Sequence, residues 1–223
     1  MQKGDLIWLL ALILVVLLLV LPTTHGLFLS MTQHHPYLTG FLKFALLATM
    51  GELLGIRIVG NTWRKPAGLW ARMAVWGFIG MLITMMFEVF AGGVTHLLVK
   101  GLLPGRDSKL AFAFLTSAIM NLTFAPTFMG FHRLTDTYLD LVFGEGLLKP
   151  HLREMINRVD WGDHLSFVVL KTIPMFWIPA HTFTFLLPPE YRVLTASFLS
   201  IALGAILAMA KRRSTAASLK ADR

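Results

Sequence analysis

The chain has 223 residues, 56% of them hydrophobic and only 14% charged, against roughly a quarter charged in an average soluble domain. The long continuous apolar runs point to helices that satisfy their own backbone hydrogen bonds in lipid, and exclude barrel strands, which alternate apolar with polar over about ten residues. The absence of cysteine excludes disulfides, thiolate metal sites and a cysteine nucleophile, and the net charge of +8 is read as topology and attraction to anionic lipid rather than as nucleic-acid binding.

About twenty apolar residues cross a bilayer as a helix, and six segments approach that length. The first, about 6–22, has an uncharged core from Leu6 to Leu21 between Lys3 and Pro22-Thr23-Thr24. Its apolar run exceeds the 7–15 residues usual in a signal peptide, so it is read as an uncleaved anchor. His34-His35 follow in an outer loop, a weak metal signal because no third ligand is near.

The second segment, about 37–58, carries Lys43, Glu52 and Arg57 and is expected to face other helices. The third, about 69–91, has Arg72 and Glu88 near its ends, and the fourth, about 110–131, has Asn121 as its most polar residue. The sequon Asn121-Leu122-Thr123 lies inside this span, out of reach of a glycosyltransferase. Next, Leu148, Leu152, Met155 and Val159 recur at helical spacing beside Lys149, Arg153 and Arg158, which predicts a helix lying on the membrane surface. The fifth span, about 165–187, contains Lys171, Pro174 and Pro179, and the prolines predict a kink or break. The sixth, about 193–210, stops at Lys211-Arg212-Arg213, and the tail 214–223 is expected to be polar and disordered.

The fold class expected is therefore all-α: a single polytopic helical domain over 1–213, with six spans and one interfacial helix. Cytoplasmic loops hold more lysine and arginine. With the N-terminus inside, Lys3, the Arg57 to Arg72 group, the Arg133 to Arg158 group and the C-terminal basic residues lie on one side. Only Lys100, Arg106, Lys109 and Arg192 lie on the other, and Lys43 and Lys171 fall within the membrane.

Charges at bilayer depth cost about 2.5–3.5 kcal/mol each and need partners or a wet cavity. The polar cavity candidates are Glu52, Lys171, His181, Thr184 and Asn121, with Glu52 and Lys171 as the first pair to test. Snorkelling and packing ion pairs are the competing explanation. Gly51-x-x-x-Gly55 places two small residues on one helix face, a packing motif that serves contact within the chain or between copies in a homo-oligomer. No catalytic residue, metal site or cofactor is proposed, since the chain lacks a phosphate-cradling loop, a nucleophile elbow and a His-Glu-x-x-His pair.

Several short motifs, in order between Gly51 and Arg192, carry a resemblance. They are Gly51-Glu52, Arg72-Met73-x-x-Trp76-Gly77, Leu103-Pro104-Gly105, Phe124-Ala125-Pro126 with Gly130, and Trp177-x-Pro179 followed by Phe185 and Pro188-x-x-Tyr191-Arg192. Together they resemble the 22-kilodalton peroxisomal membrane protein family, whose members also occupy the mitochondrial inner membrane and have bacterial relatives. The chain departs from that pattern at Met120-Asn121, which stand in place of Asp-Gln, at His181 for Gln, and at Thr184 for Asn. It also carries extra chain from Ala91 to Gly101, and the Leu6 to Leu21 helix adds to the four or five helices of the family.

The resemblance implies a divergent bacterial member with channel-like permeability. The function expected is to form or support a weakly selective path for small solutes or ions, with membrane lipids as partners. A non-transporting scaffold is the alternative, and a lipid-modifying membrane enzyme the third reading. The location expected is the bacterial cytoplasmic membrane, or else an organelle membrane.

Overall fold

The computed structural model describes residues 2–221, and among these every regular element is helical. In chain order they are α1 (Lys3–Val20), α2 (Pro22–His34), α3 (Pro36–Gly60), α4 (Leu69–Val99), α5 (Lys109–Thr123) and α6 (Ala125–Leu139). A π-helical turn, π1 (Asp140–Gly144), continues α6. Then come α7 (Leu152–Arg158), α8 (Trp161–Asp163), the wide helix π2 (His164–Trp177), α9 (Ile178–Leu186) and α10 (Pro189–Ala221).

Among the described residues, three helices are long and apolar enough to cross a membrane: α1, α4, and Pro189–Met209 of α10. The α5–α6 pair makes a fourth if it counts as one span; it bends by 50° where Pro126 has no N–H to give back to the preceding turn. The expected spans 37–58 and 165–187 match helical chain, but their charges and prolines keep them from meeting the same standard of length and apolarity.

Other boundaries differ from expectation for local reasons. Pro22 opens α2 rather than a loop, because proline fits the first turn of a helix, so His34 ends a helix and bonds the Ser30 carbonyl at 2.8 Å. The surface helix is shorter than its periodicity suggested, covering Leu152–Arg158, with Leu148 left exposed in the preceding loop. Helix α10 continues through Ala221 into the expected tail, and residues 222–223 lie outside the described residues.

The core is organised around α3. Gly40 on α3 meets Gly80 on α4 so closely that a Cβ on either would strike Thr84, Phe44 or the facing backbone. Lower on α3, Gly51 faces Ile201 and Ser200 of α10, and Gly204 faces the Gly51 carbonyl. Without a hydrophobic force between helices in lipid, such small-residue contacts let backbones approach and gain dispersion. The Gly51-x-x-x-Gly55 face is thus filled by α10 of the same chain. Gly51→Val is expected to lower stability by about 1–3 kcal/mol, because the new atoms meet backbone 3.0 Å away. Gly55→Val is expected to cost less, its nearest neighbour being the Gly204 carbonyl at 3.8 Å. Thermal melts of the detergent-purified variants check this, and equal effects at the two sites would refute it.

Polar contacts tie the two ends of the bundle. At one end Asp5 accepts from Arg57 at 2.8 Å and from the Trp63 indole at 2.8 Å, docking α1 on α3. At the other, Tyr191 contacts His25 at 3.1 Å and Gln33 donates to Glu190 at 3.3 Å, joining α2 to α10. The α3–α4 turn uses Gly68 at φ +66°, a left-handed conformation that also leaves room for the Phe143 ring.

Candidate functional site

Arg72, in the first turn of α4, is only 7% exposed and stands at the centre of an ionic cluster. Its Nε donates to the Ala67 carbonyl at 3.0 Å, Nη1 to Glu52 of α3 at 3.0 Å, and Nη2 to Asp140 of π1. One turn along α4, the Trp76 indole donates to the second Glu52 oxygen at 3.2 Å. The planar guanidinium fork serves several carboxylates at once, as a lysine does not.

Helix α6 brings a third carboxylate to this place. Asp136 lies 3.6 Å from Arg72 Nη1 and 3.6 Å from His132 Nε2, one turn earlier on α6. Neither distance is a hydrogen bond, and among the described residues Asp136 accepts none. The His132 ring tilts against Trp76 at 4.4 Å, and its Nδ1 is buried with no partner. Beside them His164 begins π2, where burial and the nearby Arg133 charge hold its imidazole below the usual histidine pKa.

A second polar group lies deeper. Asn121 on α5 is 1% exposed; its amide donates to the Ser117 carbonyl at 2.9 Å and to His181 Nδ1 at 3.0 Å. That pairing assigns the His181 proton to Nε2. The ring is held between Trp177, stacked at 4.9 Å, and the edge of Phe87 at 5.4 Å. The Trp177 Nε1 is buried and has no partner. Trp177 ends π2 and His181 lies one turn on in α9; within π2 Pro174 supplies no N–H, and Ile178 N bonds back five residues to Ile173.

A cavity of about 460 Å³ joins the two groups. Its wall runs from Phe44 to Glu52 on α3 and from Ala196 to Leu207 on α10, roughly 12–17 Å at about 1.5 Å per residue. Glu52, His132, Asp136 and His164 lie at one end, Asn121, Trp177 and His181 at the other, with Ile79, Ile83, Phe128 and Val168 between. Beyond His181 lie Phe87 and Phe185, whose centroids are 5.0 Å apart, which are almost wholly buried and which do not line the cavity.

Of the residues expected at a polar cavity, Glu52, Asn121 and His181 line this one. Thr184 does not: it is fully buried and donates to the Ala180 carbonyl at 2.9 Å within its own helix. Lys171 is exposed on the outer side of π2, and Glu52 pairs with Arg72 instead. Lys43 donates to Thr32 at 3.0 Å and lies 4.9 Å over the Phe28 ring, while Glu88 is exposed. Sequence reasoning missed His132, Asp136 and Asp140. Their four-residue spacing was the available signal, hidden because the fourth span was ended at Phe131 while the helix runs on to Gly144. Among the described residues, no three histidines or carboxylates converge as metal ligands do.

Comparison with protein-family models, with curated proteins and with solved structures returns no match to this chain.

Proposed function

We propose that this chain is a multi-pass membrane protein whose cavity is part of a weakly selective path for small solutes or ions. In this reading six segments cross the bilayer and both termini share the lysine- and arginine-rich side, in a divergent bacterial relative of the 22-kilodalton peroxisomal membrane protein family. The observation that carries it is the cavity itself, which links an ionic cluster near one end of the bundle to an Asn121–His181 pair midway along it. Such groups stand in for part of a solute's hydration shell inside an apolar membrane. The pattern of contacts supports the alternating directions that six crossings require, since Asp5 meets Arg57 at one end and His25 meets Tyr191 at the other.

The Phe87–Phe185 layer favours a second reading, a scaffold that transports nothing, because these packed and buried rings lie beyond His181, where a path would have to continue. Purified protein in proteoliposomes separates the two. Stopped-flow swelling with small polyols, and potassium efflux, are expected to run several times faster than in protein-free vesicles. Rates equal to those of empty vesicles for every solute would remove the path and leave the scaffold.

A further inference from the structure

The unfilled hydrogen-bonding groups of the cavity say what kind of molecule would occupy it. Asp136 lines the wall with its side chain 27% exposed, yet no described donor reaches it. Arg72 does not fill it, since its Nη1, which donates to Glu52, stays 3.6 Å from Asp136, beyond a hydrogen bond. His132 Nε2, 3.6 Å from Asp136, does not fill it either. The Asp136 carboxylate therefore lacks a hydrogen-bond donor.

The charges agree. With all three carboxylates ionised, Glu52, Asp136 and Asp140 face Arg72 and the exposed Arg133 at the rim, which leaves one positive charge wanting when the imidazoles are neutral. A carboxylate without hydrogen-bond donors in a largely apolar enclosure is costly, and a monocation with N–H groups answers both deficits. A quaternary ammonium would bring the charge without the donors. The remaining wall is apolar, with Phe44, Ile79, Ile83, Phe128 and Leu203 among its residues, and suits a hydrocarbon body. Trp177 Nε1, at the opposite end, is a donor and does not compete for the ammonium.

We propose that the cavity binds an amphipathic primary amine, its ammonium at Asp136 and its hydrocarbon along the wall toward Asn121. This rests on the reading of the cavity as the compartment that holds a solute, and it names that solute's chemistry. The amine belongs either to a free alkylamine or to a lipid head group.

Calorimetric titration of the full-length protein in phosphatidylcholine nanodiscs, with empty nanodiscs subtracted, tests it using hexylamine, hexanol and hexanoate. Hexylamine is expected to bind about tenfold or more tighter than either analogue, as a charge-assisted hydrogen bond provides. Asp136→Asn is expected to abolish that preference. Weakened hexylamine binding when phosphatidylethanolamine is added would support a head-group amine, and unchanged binding a free one. Hexanol or hexanoate binding as tightly as hexylamine to the wild type would overturn the proposal, as would a preference that survives Asp136→Asn. Should that variant not fold, the wild-type comparison decides alone. Selective amine binding without vesicle flux would remove the path and keep the site, whereas flux without amine selectivity would remove the site and keep the path.

Discussion

Replacing Arg72 with leucine is expected to lower the stability of the folded chain by about 3–5 kcal/mol, the usual cost of removing one partner from a buried ionic group. Arg72 is buried and its loss leaves Glu52 and Asp136 facing each other with no base between them. The Asp140 side chain is 65% exposed, so its share of the loss is small. For a chain of this size the melting temperature should fall by about 6–20 °C. Arg72→Lys should be intermediate, because a point charge cannot reach Glu52, Asp140 and the Ala67 carbonyl together. The double variant Arg72→Leu with Glu52→Leu should melt higher than Arg72→Leu alone, since one stranded carboxylate has gone. Melts of the three detergent-purified variants measure this. A single-variant loss below about 1 kcal/mol would show that the cluster does not hold the helices together.

The second large effect is on flux. Ala48 on α3 and Ala125 on α6 both line the cavity, and both are buried. A phenyl ring at either position projects into the space that joins Glu52 to Asn121. Ala48→Phe and Ala125→Phe are each expected to cut proteoliposome flux by at least about tenfold, at a folding cost of about 1–3 kcal/mol for the added bulk. Matched reconstitution levels and elution volumes separate blockage from misfolding. Two folded plug variants that conduct like the wild type would place the route elsewhere.

How far the sequence disclosed this arrangement varies with the physics at each place. The helices α1, α3 and α4 were legible because long, mainly apolar runs report helices directly. The extension of α4 to Val99 was not, since the third segment was ended at about 91, although Gly92 and Gly93 sit in open space inside the helix. The prolines of the fifth span signalled irregular backbone, but not the wide helix that forms there, because π geometry depends on which carbonyls find donors. Glu52 was found because a lone charge in an apolar run is conspicuous. Its partner was not, since Arg72 belongs to another helix and pairing across helices leaves no trace in local spacing. Asn121 and His181 were chosen separately for their polarity, and tertiary packing brings them within a hydrogen bond.

The glycine crossings divide the molecule mechanically. Backbone touches backbone where α4 and α10 grip α3, so that wedge is stiff: sliding there means main-chain collision. The opposite wall, π2 and α9, is hinged at Pro174 and Pro179 and leans on aromatic rings, which slip past one another at little cost. Any dilation of the bundle therefore falls to that compliant side, with the wedge serving as the fixed jaw against which it opens.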